Sequence, residues 1–280
     1  MSSIHWPNVL IEGFPGSGKT HSIRTLIEAE IPTFCIFTDP HGPQVFLDPK
    51  WRAGLSSSQL SCIHYTHVRP IASSWKSLSK AADQINKFSY EQLSSLKEGI
   101  EKNHCQQMGE IISASFKFID QNGENFGPID EIGEKLFPYA VVLDNLSGLG
   151  RASRFQTVGF KPGLHQGEWG VLMVQFENYI LNCVNSIPGL FVAITHLDRE
   201  TDEVTGKTGI FPHAPGRKLA PNLGQHFSDV ILAKKSGDKW FWSTTETGYE
   251  GLKQENFSWG KELTPSFKPL IDKWREIDQL

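Results

Sequence analysis

A glycine-rich segment near the beginning of the sequence limits the possible folds more than any other part of the chain. It runs from Gly13 to Thr20 and reads GFPGSGKT. The apolar run Val9–Ile11 precedes it, and apolar residues recur at helical spacing after it, from Ile23 to Ile27. The pattern G-x-x-x-x-G-K-T between a strand and a helix is specific for a phosphate-binding loop, or P-loop.

We expect this loop and the residue after it to bind the phosphates of a nucleoside triphosphate. Glycines permit positive φ and let backbone N–H groups approach phosphate oxygens, and the following helix points the positive end of its dipole at them. In such loops the lysine reaches the β- and γ-phosphates and the threonine hydroxyl ligates Mg²⁺. The predicted cofactors are ATP and Mg²⁺. The predicted nucleotide-binding residues are Gly13, Phe14, Pro15, Gly16, Ser17, Gly18, Lys19, Thr20 and His21.

Two carboxylates at strand ends are predicted to complete the site. Asp144 follows the apolar run Ala140–Leu143, and we expect this strand next to the P-loop strand, so that Asp144 helps Thr20 to hold Mg²⁺. Asn145 follows Asp144, so no catalytic glutamate stands there. Asp39 is the candidate for orienting the attacking water. It precedes a proline, and initiating a turn is an equally good explanation for it. His41 is a weaker competitor for the catalytic role.

The remaining pattern predicts an α/β fold with a mainly parallel sheet and helices on both faces. Apolar runs at 139–144 and 190–195 indicate buried strands, and residues 168–187 have helical spacing. Two runs near the end predict an antiparallel C-terminal hairpin, at 229–233 and 239–244, and a last helix is expected at 269–277. We expect a single domain, 1–280. Within it, 66–133 has mainly amphipathic helical spacing and is predicted to be an insertion.

Composition favours a cytoplasmic protein without a membrane partner. No apolar run approaches the roughly 20 residues that span a bilayer, and the first residues do not have the pattern of a signal peptide. The four cysteines form no C-x-x-C pair, which suits a reducing compartment. The formal net charge of −4 does not itself predict a nucleic-acid partner, although individual loops can be basic.

The order of these segments resembles the RecA-type ATPase core. More closely, it resembles the short RecA-like phage proteins of the Sak group, which anneal single strands and keep little more than that core. Four segments carry the resemblance: GFPGSGKT, YAVVLDNLSGL, FVAITHLDRETDEVTGK and PGRKLAPNLGQHFSDVILAKK. The resemblance implies a protein that binds and hydrolyses ATP, binds single-stranded DNA and promotes annealing or recombination, in a bacterial or phage-infected cell.

The resemblance also implies roles for further residues. His196 falls where the RecA core keeps a polar residue that senses the γ-phosphate, and Lys19, Asp39, Asp144 and His196 form the implied catalytic set. A capping or core role is the alternative for His196. Two stretches expected to be long irregular loops, 148–167 and 197–221, fall where that core contacts DNA. The implied DNA-binding residues are Arg151, Arg154, Phe155, Lys161, Arg199, Lys207, Arg217 and Lys218.

The resemblance further implies self-assembly into a ring or filament, and it admits a single-strand DNA-binding protein as another partner. In such an assembly a cation from a neighbouring copy completes the ATP site, and the candidates are Arg217, Lys218, Lys234 and Lys253. One departure concerns hydrolysis: the RecA core usually has glutamate where this chain has Asp39. Aspartate has a shorter reach, so hydrolysis could be slow or absent.

Two other functions stay open at this point. A regulatory or defence P-loop NTPase would act through a protein partner, with the insertion as its docking surface. A small-molecule phosphotransferase would close an arginine-bearing lid over its substrate, but the helical pattern from Trp75 to Ile119 contains lysines and no arginine. A translocating motor would need an added domain, which the sequence does not indicate.

Overall fold

The computed structural model describes residues 5–69, 106–158, 165–201, 208–216, 219–246 and 251–278, with isolated positions between 79 and 92. In these residues the strands are β1 (Asn8–Glu12), β2 (Thr33–Phe37), β3 (Ile63–His67), β4 (Phe118–Ile119), β5 (Asn125–Gly127), β6 (Ala140–Asp144), β7 (Leu190–Thr195), β8 (Leu197–Thr201), β9 (Thr208–Pro212), β10 (Asp229–Ser236) and β11 (Lys239–Ser243). The helices are α1 (Arg24–Glu28), α2 (Gln44–Leu47), α3 (Pro49–Arg52), α4 (Ser57–Ser61), α5 (Gln106–Phe116), α6 (Gly133–Leu136), α7 (Leu146–Val158), α8 (Gln166–Ser186) and α9 (Lys268–Asp278).

Seven of the described strands form one sheet, in the order β11-β10-β1-β7-β6-β2-β3. All neighbours pair in parallel except β10 and β11, which pair antiparallel. The central strands consist mostly of buried aliphatic and aromatic residues, because a parallel sheet is covered on both faces. The predicted mainly parallel sheet with an antiparallel C-terminal hairpin is confirmed.

Helices cover both faces of the sheet, as predicted. On one face, Leu26 of α1 and Leu270 of α9 pack in a buried apolar cluster with the side chains of β1 and β2. On the other face, Ile111 of α5, Leu149 of α7 and Phe176 of α8 pack in a second cluster. The sheet is therefore the middle of three layers, and the carboxyl ends of its parallel strands lie along one edge.

The strand that ends in Asp144 does not lie next to the P-loop strand, so that expectation was wrong. β7 pairs with β1 on one side and with β6 on the other. Strand order depends on how the crossover helices pack, and no local pattern encodes it. Because β1, β7 and β6 are parallel, their carboxyl ends still meet at one edge, where Glu12 pairs with Thr195 and Asp144 with Ile194.

The first predicted loop is largely helical, so the loop interpretation of 148–158 was wrong. α7 begins at Leu146, and residues 159–164 lie outside the described part of the chain. Leu146, Leu149 and Ala152 share one buried face. Gly148 allows close packing rather than a turn, since a Cβ there would lie 2.5 Å from the carbonyl oxygen of Thr38.

The second predicted loop contains a hairpin, so the irregular interpretation was wrong there too. β8 and β9 pair antiparallel, with Arg199 opposite Ile210, and a 3₁₀ turn follows at Ala220–His226. The charged sequence of β8, LDRET, lacks the apolar alternation by which strands are recognised. Residues 202–207 lie outside the described part of the chain.

Of the predicted insertion, 66–133, the structure describes residues 66–69, isolated positions between 79 and 92, and 106–133. α5 confirms the helix expected around Met108–Phe116, whereas Ile119 belongs to β4, which pairs with β5 in a small hairpin. The helices expected between 75 and 100 lie outside the described residues, apart from the isolated positions. In the part of the chain that the structure describes, no helix is long and apolar enough to cross a membrane.

Candidate functional site

The glycine-rich loop leaves the carboxyl end of β1 and leads into a 3₁₀ turn, Thr20–Ile23, which continues as α1. Gly16 and Gly18 have φ values of 78° and 83°, a conformation that favours glycine. A Cβ on Gly13 would lie 2.6 Å from the carbonyl oxygen of Ala233, so the start of the loop is pressed against β10. Phe14, Pro15 and Gly16 are exposed at its tip.

The ammonium group of Lys19 is buried, and its close bonds go to neutral acceptors. Its Nζ donates to the carbonyl oxygens of Gly13 at 2.6 Å and Phe14 at 3.0 Å. Burial lowers the pKa of Lys19 to about 8, and the negative charge of Asp144 opposes this shift. Buried cations are normally paired with an anion. A phosphate group at this position would therefore supply the charge that Lys19 lacks.

Thr20 and Asp144 place two oxygens next to each other at the edge of the sheet. The Thr20 hydroxyl donates to Asp144 Oδ2 at 2.6 Å. Burial raises the pKa of Asp144 to about 6, while the hydrogen bond from Thr20 and the charge of Lys19 act in the opposite direction. A hydroxyl and a carboxylate are oxygen ligands of the kind that Mg²⁺ prefers.

Asn145 connects Asp39 to His196. Its Nδ2 donates to Asp39 Oδ2 at 3.2 Å and lies 3.3 Å from His196 Nε2. The peptide bond before Asn145 is cis. Asp39 also accepts the backbone N–H of His41 on Oδ1. Both interpretations of Asp39 are thus geometrically compatible, because one oxygen closes a turn and the other faces the site.

The hydrogen bonds of Asn145 define the protonation of His196. The Oδ1 atom of Asn145 accepts the backbone N–H of Gly148 at 2.8 Å, so its Nδ2 must be the atom facing His196 Nε2. Nε2 is therefore the acceptor and Nδ1 carries the proton. Burial and the charge of Lys19 lower the pKa of His196. Nδ1 lies 3.5 Å from Lys19 Nζ. Lys19 and His196 both form hydrogen bonds to the carbonyl oxygen of Gly13. An anion bound here would accept from both side chains.

Sequence reasoning did not assign a role to Asn145, Thr38 or Trp240. The Thr38 hydroxyl donates to the Asn145 carbonyl at 2.7 Å and accepts its N–H at 3.0 Å, which fixes the turn after β6. Trp240, on β11, lines the loop from the other side. A polar residue directly after a strand-end aspartate was the only signal for Asn145, and no local signal distinguishes Trp240 from the other tryptophans.

Glu12, the last residue of β1, is a second buried carboxyl group that sequence reasoning missed. It is 4% exposed, and burial raises its pKa to about 8. The signal was present, because a glutamate ends an otherwise apolar buried strand immediately before Gly13. Near neutral pH this carboxyl group is therefore mostly protonated.

Replacement of Glu12 by glutamine is expected to reduce the loss of stability that occurs as pH rises from about 4.5 to about 8. In the unfolded chain Glu12 ionises near 4.5, and in the folded protein near 8. Between these values the unfolded state binds fewer protons, so stability falls as pH rises, by at most about 1.4 kcal/mol per pH unit. Urea unfolding of both proteins between pH 5 and 9 would measure the difference. Exposed Glu276 supplies the control, Glu276→Gln, and parallel stability curves for Glu12→Gln and the parent would contradict the assignment.

The predicted DNA-binding residues lie on two different elements. Arg151 and Arg154 are exposed on α7, and Phe155 is half-buried. Arg199, on β8, is also exposed, and its guanidinium lies 5.7 Å from the ring centroid of Phe14 in the loop. The other predicted DNA-binding residues, Lys161, Lys207, Arg217 and Lys218, lie outside the described residues.

Two of the four candidates for a cation acting in a neighbouring copy are engaged within the chain. Lys234 pairs with Glu246, and Lys253 donates to the carbonyl oxygen of Phe227. The other two, Arg217 and Lys218, lie outside the described residues. Among the described residues, no cluster of three or more histidine, cysteine or acidic side chains is arranged to hold a metal ion. A cation at Thr20 and Asp144 would thus depend on phosphate oxygens and water for its remaining ligands.

Comparison with known proteins gives distant similarities. A model of the viral superfamily 1 RNA helicase core domain matches residues 9–62, the segment that contains the loop. A comparison with curated proteins gives no match.

Solved structures are similar at low sequence identity. The ATPase from the type III secretion system of pathogenic bacteria has a TM-score of 0.44 and 11% identity, over 82% of this chain and 52% of that one. This chain thus spans about half the length of that ATPase. The RadB recombinase has a TM-score of 0.38 and 14% identity, over 88% of this chain and 84% of that one. The mainly parallel seven-stranded sheet and the glycine-rich loop at the end of β1 show a P-loop α/β fold.

Proposed function

We propose that this protein binds Mg–ATP, hydrolyses it, and binds single-stranded DNA in a manner that depends on the nucleotide, in annealing or recombination. The observation that supports this best is that four polar side chains meet at one edge of the sheet. Lys19 and His196 supply hydrogen-bond donors there, and Thr20 and Asp144 supply oxygen atoms. The domain, 1–280 with its insertion at 66–133, would act as one ATPase unit.

The side chains present fit a triphosphate and its metal ion. Lys19 and the backbone N–H groups from Gly13 to Thr20 would hold the β- and γ-phosphates, and His196 Nδ1–H would donate to a γ-phosphate oxygen. Thr20 and Asp144 would hold Mg²⁺, which neutralises charge on the phosphates when it is bound. His21, directly after the loop, would lie beside the α-phosphate.

Asp39 and Asn145 are the groups that would orient a water molecule for attack on the γ-phosphate. Asn145 Nδ2 already donates to Asp39 Oδ2, which leaves a carboxylate facing the site with its position fixed. A carboxylate accepts a proton from water and aligns it. Because this aspartate is shorter than the glutamate usual in the RecA core, we expect slow hydrolysis.

The proposed DNA-binding hairpin is attached to the proposed phosphate sensor. The carbonyl oxygen of His196 accepts the N–H of His213 at 2.7 Å, and β8 begins at the next residue, Leu197. The Thr195 hydroxyl donates to the carbonyl oxygens of His196 and His213. A shift of His196 towards a γ-phosphate would therefore move the base of the β8–β9 hairpin.

The cationic side chains would contact the DNA backbone. Arg151 and Arg154 on α7 are exposed, and α7 begins immediately after Asn145, so both proposed DNA-contacting elements start at the nucleotide site. Arginine neutralises phosphates and half-buried aromatic rings can stack on bases. We also propose assembly into a ring or filament, in which Arg217 or Lys218 of a neighbouring copy completes the ATP site.

Replacement of both Arg151 and Arg154 by alanine is expected to weaken single-strand binding and its salt dependence together. Each phosphate contact on a single strand contributes about 0.7 to the slope of log affinity against log salt, so the slope should fall by about 1.4. The measurement is fluorescence anisotropy of a labelled oligonucleotide between 50 and 200 mM salt, with Mg–ATP and without nucleotide.

Arg52→Ala is the matched control. Arg52 is exposed on α3, whose Trp51 packs in the apolar cluster on the opposite face of the sheet from α7. DNA affinity that rises with Mg–ATP and is lowered by the double variant but not by the control would support the proposal. Single-strand affinity that is absent at low salt, with Mg–ATP bound, would exclude a DNA function and favour a regulatory NTPase that acts through a protein partner.

A further inference from the structure

Trp240 lies against the phosphate-binding loop on the side away from the carboxylates. It belongs to β11, and β10 and β11 stand on one side of β1, whereas β7, β6 and β2 stand on the other. Its indole Nε1 donates to the carbonyl oxygen of Gly16 at 3.2 Å. Its ring covers Gly18, where a Cβ would lie 2.8 Å from the indole Cγ. The indole therefore forms one wall of the cavity that contains Lys19 and Asp144.

His21 extends this aromatic surface. The rings of His21 and Trp240 have centroids 4.7 Å apart and an interplanar angle of 33°. Trp240 remains 37% exposed, which leaves part of its ring available to a ligand.

The position of the reactive groups defines which way a bound nucleotide must run. Asp144 ends β6, and His196 and Asp39 follow β7 and β2. These three strands all lie on one side of β1, so the terminal phosphate belongs there. The nucleoside must leave the loop at the other end, past Thr20 and His21. The ammonium of Lys235 lies 6.0 Å from the centroid of the Trp240 ring. An exposed aromatic surface beside that end suits the flat face of a base.

We propose that Trp240, extended by His21, is the surface on which the nucleobase stacks, and that it makes this site select a purine nucleoside triphosphate over inorganic polyphosphate and over pyrimidine nucleotides. The inference rests on the proposed nucleotide binding. It adds that the protein recognises the base of the nucleotide as well as its phosphates. Stacking increases with ring area and needs no specific hydrogen bond, so a purine gains more from it than a pyrimidine does.

The test is isothermal titration of the full chain with ATP, CTP and inorganic tripolyphosphate, each with Mg²⁺. The parent protein should bind ATP more tightly than CTP, and CTP more tightly than tripolyphosphate. Trp240→Ala should weaken ATP binding by about 10-fold, as expected for the loss of one stacked ring, and leave tripolyphosphate binding unchanged. Trp240→Phe should keep most of the ATP affinity, because it retains a ring but not the bond to Gly16. Trp259, 67% exposed and outside the cavity lining, supplies the control Trp259→Ala.

Two results would overturn the inference and leave nucleotide binding intact. The first is equal weakening of ATP and tripolyphosphate in both Trp240 variants, which would mean that Trp240 only supports the loop through Gly16. The second is equal affinity of the parent protein for ATP and tripolyphosphate. If neither ligand binds the parent protein, the proposed function itself fails, and this inference fails with it.

Discussion

Replacement of Lys19 by alanine is expected to lower the affinity for Mg–ATP by about 30-fold or more, because removing one partner of a buried, hydrogen-bonded charge pair costs roughly 2–5 kcal/mol. The Nζ of Lys19 is buried and bonded to two carbonyl oxygens of its own loop. A phosphate would replace these neutral acceptors with an anion in a place of low dielectric. Titration with a fluorescent ATP analogue would measure the loss.

The same variant should leave the fold intact. The desolvated ammonium of Lys19 has no close carboxylate partner among the described residues, so its removal should not lower the melting temperature in the absence of nucleotide. Lys117→Ala, at an exposed lysine after α5, is the control for a simple change of charge. Full ATP affinity in Lys19→Ala, with the protein folded, would show that the loop does not hold the triphosphate through this lysine.

The core strands and the loop were predictable from the sequence because their signals are local. The runs Val9–Ile11, 139–144 and 190–195 are apolar over the length of a strand, and the structure has β1, β6 and β7 there. The spacing from 168 to 187 likewise predicted α8 to within two residues. Such segments keep their structure because burial on both faces of the sheet favours the same conformation as the local pattern.

Helix α7 and the β8–β9 hairpin were not predicted from the sequence. Glycines in α7 and charged residues in β8 indicate irregular structure when their contacts with residues distant in sequence are not known. Gly148 and Gly150 favoured a loop, yet both lie in α7, where Gly148 lets the helix approach Thr38. The hairpin of β8 and β9 is charged along β8 and stabilised mainly by its partner strand. In both cases a contact distant in sequence outweighs local propensity.

The candidate site was predictable where it follows a motif and unpredictable where it depends on strand order. Lys19 and Thr20, which follow β1, lie together with Asp144, which ends β6, although β7 separates those strands. Asn145 and Trp240 reach the same cavity from β6 and β11. Trp240 lies 220 or more residues from the loop in sequence, so only the pairing of β10 with both β1 and β11 brings it there.

The Asp144→Asn variant is expected to lose ATP hydrolysis by about 100-fold or more while still binding nucleotide, because removing one group that stabilises transition-state charge costs 10²–10³ in rate. The amide oxygen of asparagine can still accept the Thr20 hydroxyl, whose bond to Asp144 is 2.6 Å long, so the loop should keep its shape. The amide carries no charge and is a weaker ligand for Mg²⁺. Phosphate release measured across a Mg²⁺ titration should therefore show a lower maximal rate and a higher Mg²⁺ requirement.

Stability separates this effect from a folding defect. The pKa of Asp144 is raised from 3.8 to about 6 by burial, so above pH 6 the folded protein holds a buried carboxylate, and stability falls as pH rises between these values. The asparagine variant lacks that ionisation and should be at least as stable as the parent at pH 8. Asp272→Asn, at an exposed aspartate of α9, should change neither hydrolysis nor its Mg²⁺ dependence. If Asp144→Asn is folded and hydrolyses ATP at the parent rate with the same Mg²⁺ requirement, Asp144 does not hold the metal ion, and the carboxylate of Asp39 becomes the group to test.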